Sequence, residues 1–324
     1  MTSGPHIRSS TGATRSGSPL ATSRAPTEDL RPWFYWWSIA EGSLPDGYRI
    51  NCGRMNDHAC LTIIYCDAWT AHTADGEQVW DPGENGLALY FGPMTQRMPL
   101  SIAGRYLAVT LHFNAGAPSV LGFPDQASML NRIVDFDRML GRDVPLASLV
   151  PRDQPLENWL LALEDEFRKL VHHAHAKVPD PMALAFEREC LANPDFTVEE
   201  FARLQDVSKR TIERTIKKAF GITPKQALRR ARALDMASSL LGVARPEDAP
   251  EMEERYFDQS HRIKEIRDFF GMSPGEMQAK PHPFLRLGLE VRQRRRLDAL
   301  NELEPHELGP WRDPDSEPRS GRAD

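Results

Sequence analysis

The pattern of apolar residues changes once along the chain, near residue 150. Residues 30 to about 140 show no helical period, and short apolar runs alternate there with turn-forming segments. Runs of this length, enriched in Ile, Val, Thr, Tyr and Phe, are typical of strands in an antiparallel sandwich or barrel. We predict strands in ACLTIIYCDAW, GLALYFGPM and GRYLAVTLHF, separated by DGEQ, DPGENG and MPLSIAG.

A helical period begins at residue 155. The segment PLENWLLALEDEFRKLVHHA repeats apolar residues at spacings of three and four, which predicts an amphipathic helix with one buried side. Its other side would be available for pairing with a second copy of the chain. Pro179 and Pro181 interrupt the pattern, so residues 175–181 are predicted to link a β domain to a helical domain. The predicted buried side consists of Leu156, Leu160, Leu163, Phe167, Leu170 and Val171.

Two short helices joined by a tight turn are predicted within residues 197–220. Thr197 and Glu200 have the spacing of a capping box, which marks the start of the first helix. Ser208 can cap the second helix. The inward side of that second helix is predicted from apolar residues at spacings of three and four: Ile212, Ile216, Ala219 and Phe220.

The outward side of the second helix is basic, as expected of the recognition helix in a helix-turn-helix. Arg210 and Arg214 can each donate two hydrogen bonds to a guanine, and Glu213 can accept one from a cytosine. The alternative is a solvated charged face, but such a face is expected to carry both signs of charge in similar numbers. The predicted DNA contacts of this helix are Lys209, Arg210, Glu213 and Arg214 to bases, and Lys217 and Lys218 to phosphates.

The distribution of charge favours one localised binding surface. The chain carries 40 Lys and Arg against 46 Asp and Glu, a formal charge of -6. Residues 203–232, in contrast, contain ten basic and two acidic side chains, and ten minus two gives +8. A basic field of this density within an acidic chain is the electrostatic signature of nucleic-acid binding.

One short motif occurs twice, as FGITPK at 220–225 and as FGMSPG at 270–275. In the first copy, Gly221 is predicted to end the recognition helix in a left-handed conformation, and Thr223 to cap a spacer helix over about 224–241. In the second copy, Gly271 is predicted to end a helix and Ser273 to cap the next one. The motif therefore predicts one helix stop and one helix start in each of two DNA-binding units.

The second unit is predicted around YFDQSHRIKEIRDFFGMSPGEM, residues 256–277, with Asp258 as a helix cap. The preceding residues 245–255 read RPEDAPEMEER, in which Pro250 and five acidic residues stand where a helix and turn are expected. We therefore expect a locally irregular unit that binds DNA mainly through phosphates. Its predicted buried side is Ile263, Ile266 and Phe270, and its predicted outward side is Gln259, Ser260, Arg262, Lys264 and Arg267.

Two such units about fifty residues apart, each closed by F-G-x-[ST]-P and the second carrying D-Q-S-H, resemble the DNA-binding domain of AraC-type bacterial transcription regulators. The resemblance spans roughly residues 180–280. The stretch from PDGYR through YFGPMTQRM, AGRYLAVTLHF and LGFPDQASMLNRIVDF is similar to the cupin-like regulatory domain of one branch of that family.

The resemblance implies a regulator that places two recognition helices in successive major grooves of promoter DNA. It also implies RNA polymerase, a second copy of the chain and a small-molecule effector as partners, with no cofactor. His261 corresponds either to a packing or capping residue or to a base contact. The implied contacts of the second unit are Gln259, Ser260, His261, Arg262 and Lys264.

The predicted fold class is α+β, a cupin-like antiparallel barrel or sandwich followed by a helical domain with two helix-turn-helix units. The predicted divisions are a disordered tail (1–29), a cupin-like regulatory domain (30–150), a helical dimerisation or linker segment (151–180), the DNA-binding domain (181–290, with units at about 197–220 and 250–270), and a basic helix with a disordered tail (291–324). No apolar run approaches the ~18 residues that a membrane span needs, so a cytoplasmic protein is expected.

Two enzyme classes compete with a regulator. A metal-dependent cupin-type enzyme needs closely spaced histidines, but His58, His72 and His112 form no H-x-H pair. A methyl-acceptor protein needs a reactive thiolate, but Cys60 and Cys66 have no basic residue beside them in the sequence. We therefore expect no metal and no enzymatic activity.

Overall fold

The structure is a computed structural model that describes residues 21–244, 250, 252 and 259–300. Most of both predicted tails, and most of the segment before the second predicted recognition helix, lie outside the described residues. The described chain begins with two antiparallel sheets and continues with helices, which confirms the α+β prediction.

The β domain has ten described strands in two sheets. One sheet has six strands in the order β1-β2-β9-β4-β7-β10, and the other has four in the order β3-β8-β5-β6. The strands are β1 (Ala21–Arg24), β2 (Phe34–Ser43), β3 (Arg49–Arg54), β4 (Cys60–Ile64), β5 (Trp69–Thr73), β6 (Gly76–Trp80), β7 (Leu87–Phe91), β8 (Met98–Ala103), β9 (Arg105–Phe113) and β10 (Ile133–Asp135).

The two sheets pack face to face around an apolar core. Ile64 and Phe91 come from the six-stranded sheet, whereas Trp69 and Leu100 come from the four-stranded sheet. Because alternate residues of a strand point to opposite faces, each sheet can supply every second side chain to this core. The predicted sandwich is confirmed.

Two segments that we predicted to be connections are strands. DGEQ begins the edge strand β6, and MPLSIAG contains β8. In β8 the residues Met98, Leu100 and Ile102 are buried. Pro99 and Ser101, which lie between them, are residue types common in loops. The prediction of a loop at 98–104 was wrong because we gave turn-forming residues more weight than the alternation of apolar and polar residues.

Ten α-helices are described, two of them short and within the β domain. They are α1 (Ala117–Val120), α2 (Phe136–Leu140), α3 (Leu156–His173), α4 (Pro181–Ala192), α5 (Val198–Leu204), α6 (Lys209–Phe220), α7 (Pro224–Leu240), α8 (Gln259–Phe270), α9 (Pro274–Ala279) and α10 (Pro283–Leu300). None of the described helices is long and apolar enough to span a membrane.

Helix α3 packs on the outer face of the six-stranded sheet. Phe167 lies with its ring centroid 5.0 Å from that of Phe34 and 6.0 Å from that of Trp37. Glu164 is fully buried and accepts hydrogen bonds from Trp37 Nε1 (3.1 Å) and Arg24 Nη1 (2.7 Å). The apolar side of α3 is therefore used within this chain, and pairing through its exposed side stays a prediction.

Helix α7 organises the helical region, because its two halves enter two different cores. Ala227 and Leu228 in its first half pack in the core that also holds helices α4, α5 and α6. Leu234 and Ala237 in its second half pack with residues of α8, α9 and α10. Met55 of the β domain also belongs to this second core, so the two domains share packed surface.

Candidate DNA-binding site

Helices α5 and α6 form the first helix-turn-helix. The Thr197 side chain accepts from the Glu200 amide while the Glu200 side chain accepts from the Thr197 amide, which confirms the predicted capping box. Asp206 has a φ of 50° in the turn, a left-handed conformation that Asp tolerates better than most residues. Ser208 then caps α6 by accepting from the amide of Thr211 at 3.2 Å.

Helix α6 divides into a buried apolar side and an exposed charged side. The predicted inward residues Ile212, Ile216, Ala219 and Phe220 are all buried, with at most 8% exposure. The structure therefore brings the six predicted contacts of this helix together on one accessible face. Those exposed residues are Lys209, Arg210, Glu213, Arg214, Lys217 and Lys218.

Lys209 has a partner that the sequence did not indicate. Its Nζ forms an ion pair with the Glu199 carboxylate on α5, and both side chains are more than half exposed. The hydrogen bond that Lys209 Nζ donates to the Glu199 carboxylate raises the pKa of Lys209. An exposed pair of this kind contributes little to stability, so Lys209 can exchange Glu199 for another anion at low cost.

Three of the ten basic residues in 203–232 do not contribute to the exposed basic surface around α6. Arg230 is 2% exposed, Arg229 pairs with Glu265, and Arg232 donates to the Pro194 carbonyl. Seven of the ten basic residues in 203–232 are exposed, and seven minus the exposed Asp206 and Glu213 gives +5. The exposed basic surface is therefore centred on α6.

The repeated F-G-x-[ST]-P motif has the same structure in both copies. Gly221 and Gly271 follow α6 and α8 with φ of 74° and 69°, the left-handed conformation that favours glycine. Thr223 forms a capping box with Gln226, and Ser273 forms one with Glu276. The predicted stop and start of helices is confirmed twice.

The second predicted recognition helix is observed as α8. Ile266 and Phe270 are buried as predicted, Ile263 is half-buried, and Lys264 and Arg267 are exposed. Ser260 is exposed as well. The predicted cap Asp258 and the side chains of Gln259, His261 and Arg262 lie outside what the structure describes.

The β domain holds the end of α8 directly. Arg97, in the connection between β7 and β8, donates its backbone amide to the Phe269 carbonyl (2.6 Å) and its Nε to the Phe270 carbonyl (2.9 Å). The last carbonyls of a helix have no intrahelical partner and carry partial negative charge, so a guanidinium there satisfies and stabilises them. This cap comes from another domain, which no local sequence signal could reveal.

The β domain also contacts α6, where Ala115 packs in the core with Ile212 and Ile216 and the His58 ring lies 5.0 Å from that of Phe220. Ser119 Oγ donates to the Lys218 carbonyl at 3.3 Å. A Cβ added to Gly221 would lie 2.6 Å from the Gln126 carbonyl oxygen, so the 124–130 loop approaches this glycine closely. These contacts are on the buried side of α6 or at its last turn and beyond, so they leave Lys209, Arg210 and Arg214 accessible.

The predicted basic helix at the end of the chain belongs to the domain interface. Within α10, Arg292 donates to Asp57 (2.9 Å) and to Asp235 (2.7 Å), and Arg295 donates to Glu187. Burial alone would raise the pKa of Asp57, but the neighbouring His58 and Arg292 outweigh burial and lower it. The charges of Arg292 and Arg295 are thus compensated inside the protein by acids from both domains.

The residues considered for enzyme chemistry are engaged elsewhere. His58 Nε2 lies 2.7 Å from Glu187 Oε1, and His72 Nε2 lies 3.2 Å from Glu77 Oε2 on the other sheet. Cys60 has no basic residue beside it in the sequence, but the fold brings Arg54 Nη2 to 3.1 Å from its sulfur. Burial nevertheless raises the pKa of the Cys60 thiol, despite Arg54.

No family model and no curated protein matches the chain. Solved structures do match. ToxT from Vibrio cholerae O395 shares 6% identity, and the match covers 75% of this chain and 97% of that chain with a TM-score of 0.43. The C-terminal domain of AraT, a response regulator from Geobacillus stearothermophilus, shares 24% identity over 32% of this chain and 88% of that chain, with a TM-score of 0.28.

The AraC-like transcriptional activator CuxR also matches, with 15% identity, coverage of 66% of this chain and 86% of that chain, and a TM-score of 0.27.

Proposed function

We propose that the chain is a sequence-specific DNA-binding transcription regulator in which α6 enters the major groove. The observation that carries this proposal is the two-sided character of α6. Its apolar side is fixed against α4, α5 and α7, while six charged residues face outward without being covered by the β domain. A rigid helix with an accessible basic face is what major-groove recognition requires.

Position along α6 suggests a division of roles. Lys209, Arg210, Glu213 and Arg214 lie in the first two turns, which in a helix-turn-helix face the base edges. Lys217 and Lys218 lie in the last turn and would hold phosphates. Bases determine sequence preference, whereas phosphates contribute affinity that depends on salt.

Helix α8 is proposed as a second and weaker DNA contact in the next major groove. Exposed Ser260 and Lys264, with Arg267 one turn further, are suited to phosphates. The resemblance adds Gln259, His261 and Arg262 to this proposed surface. Binding by two units on one face of DNA would need their helices about 34 Å apart.

The partners proposed with this function are double-stranded promoter DNA, RNA polymerase, a second copy of the chain and a small-molecule effector. Dimerisation through the exposed side of α3 has a direct test. Light scattering at micromolar concentration should give twice the mass of the chain, and a monomer at that concentration would contradict it.

The decisive experiment is selection of binding sites from random double-stranded oligonucleotides by the full chain. We expect an enriched motif and a footprint on it at moderate salt. The selection is repeated with an Arg210→Ala and Arg214→Ala double variant, which should enrich nothing. Wild-type protein that binds all oligonucleotides equally, or none, would contradict sequence-specific regulation.

A further inference from the structure

The first turn of α5 carries two neighbouring acids that have different roles. Glu200 closes the capping box, since its carboxylate accepts from the Thr197 amide (2.7 Å) and from the Thr197 hydroxyl (2.8 Å). Glu199 instead accepts a hydrogen bond from the Nζ of Lys209, which is the first residue of α6. Glu200 therefore helps to start α5, whereas Glu199 reaches across to the proposed DNA-binding face.

Lys209 lies at a place where its charge does not stabilise its own helix. The first turn of a helix carries partial positive charge, so a cation there is unfavourable and an acid is preferred. The first turn of α6 contains no acid of its own. The Glu199 carboxylate supplies negative charge from α5, and its hydrogen bond is the main reason that the pKa of Lys209 is raised. The pair therefore offsets the unfavourable placement of Lys209 in the free protein.

The same pair lies where a helix-turn-helix meets the DNA backbone. In this motif the first helix crosses the phosphates, and the start of the second helix approaches the base edges. The side chains of Glu199 and Lys209 are both more than half exposed, so DNA can reach them. A carboxylate at this position repels phosphates, in contrast to the basic residues around it.

The ammonium of Lys209 can serve two acceptors at once, but the charge of the second acceptor matters. An ammonium has three N–H donors, so one can remain on Glu199 while another binds the O6 or N7 of a guanine, which are neutral acceptors. A phosphate in the same place would put two anions around one cation, and their mutual repulsion opposes that arrangement. Glu199 therefore favours a base as the partner of Lys209 and disfavours a phosphate.

We propose that Glu199 is a specificity-determining residue, which directs Lys209 to a base and weakens binding to DNA of arbitrary sequence. The inference rests on the proposed function of α6. Binding to arbitrary DNA depends on phosphate contacts, so it is weakened by the full effect of the carboxylate. Binding to a selected site is weakened less, because the contact of Lys209 to a base is kept. Glu199 thus acts against the wrong partner, and the ratio of the two affinities increases.

Glu199→Gln in the full chain tests this role, because the substitution removes the charge and keeps the shape. Fluorescence anisotropy measures the affinity for a selected site and for a duplex of shuffled sequence. We expect binding to the shuffled duplex to become about two- to fivefold tighter, while binding to the selected site changes less. The slope of log affinity against log salt on the shuffled duplex should steepen by about 0.9. An unchanged ratio of the two affinities would overturn the proposal.

Glu200→Gln is the matched control, since it removes the same charge from the adjacent residue. Gln226 already has this capping role in α7, so a glutamine can close the box. Circular dichroism should show native folding, and the ratio of affinities should stay at its wild-type value. The effect of Glu199→Gln should also vanish in a Lys209→Met background. A loss of discrimination that persists without Lys209, or that Glu200→Gln reproduces, would show general repulsion and contradict the proposed role.

A measurement without DNA separates this inference from the proposed function. The hydrogen bond from Lys209 lowers the pKa of the Glu199 carboxyl, so Lys209→Met should raise that pKa toward its ordinary value in an NMR titration. An unchanged pKa would refute the pair, whatever the chain does with DNA. A wild-type chain that selects no DNA sequence contradicts the proposed function. A chain that does select one, with an unchanged ratio of affinities in Glu199→Gln, contradicts only the role of Glu199.

Discussion

Helices α6 and α8 have the same length and the same ending but different charge. Each spans 12 residues and is followed by glycine in a left-handed conformation and a capping box. In α6, five basic residues and one acidic residue give +4, whereas in α8 three basic and two acidic residues give +1. The repeated motif therefore gives both helices the same ending, while their net charges differ.

The two helices also differ in how the β domain holds them. Arg97 caps α8, and Met55 lies in the core that contains Ile266 of α8. The β domain meets α6 from its buried side and at its last turn: Ala115 lies in the core with Ile212 and Ile216, and the His58 ring lies 5.0 Å from that of Phe220. The comparison shows that both helices are packed against the β domain, but only α8 has its terminal carbonyl capped by a β-domain guanidinium among the described residues.

The largest expected effect comes from the exposed arginines of α6. Arg210→Ala with Arg214→Ala should abolish sequence preference, since each bidentate guanine contact contributes about 1–3 kcal/mol of discrimination. Competition binding between a selected site and random DNA measures this. Arg203→Ala on α5 is the control, and Lys264→Ala on α8 should lower affinity on all DNA alike. Unchanged preference in the double variant would show that α6 is not the recognition helix.

The two glycines after these helices provide a matched pair. Both adopt left-handed φ, so an alanine at either position should cost about 1–2 kcal/mol in free energy of unfolding. Gly221→Ala also drives its Cβ to 2.6 Å from the Gln126 carbonyl oxygen, which should add about 1–3 kcal/mol. The same Cβ at Gly271 meets no described residue within 4 Å. Chemical denaturation measures both, and equal losses would mean that the 124–130 loop yields freely.

Removal of the Arg97 side chain should loosen α8 and leave α6 in place. Arg97→Ala deletes a hydrogen bond from a charged donor to the Phe270 carbonyl, a loss of about 1.5–3 kcal/mol. We expect faster hydrogen exchange in residues 264–270 than in 212–220. Arg49→Ala, which removes an exposed hydrogen bond to Ser101 within the β domain, is the control. Uniform acceleration in both helices would contradict separate attachment.

The smallest expected effect concerns Lys217. Lys217→Ala should weaken binding to every DNA by a similar, modest factor, because a phosphate contact is independent of sequence. The slope of log affinity against log salt should become shallower by about 0.9. Lys177→Ala, an exposed lysine outside the helix, is the control. A change in sequence preference would instead place Lys217 against a base.

Local features of this fold could be predicted from the sequence because they depend on neighbouring residues. The capping box at Thr197, the Ser208 cap and the glycine stops involve partners within four residues, and all were found. The buried side of α6 followed from its period. We did not predict strands β6 and β8. Strand β6 lies at a sheet edge and has few buried residues, and Pro99 in β8 conceals the alternation of buried and half-buried residues.

Contacts between distant residues could not be predicted. Arg97 and Phe270 are 173 residues apart in sequence, and Asp57 and Arg292 are 235 apart. Nothing in a single sequence pairs such residues. As a result, the basic residues of 203–232 were all assigned to one surface, although Arg230 is buried between the domains.

Helix α10 has a consequence for how such a chain can be recombined. Phe284 packs in the core of the β sandwich, 6.1 Å from Trp69 and 5.4 Å from Tyr106 between ring centroids, while Leu285 and Leu289 pack with α8. A chimera that receives a different β domain at the 175–181 linker would keep its own Phe284, which would then pack against a core that it does not match. A functional exchange must therefore transfer the β domain together with α10, although helices α4 to α9 lie between them in the sequence.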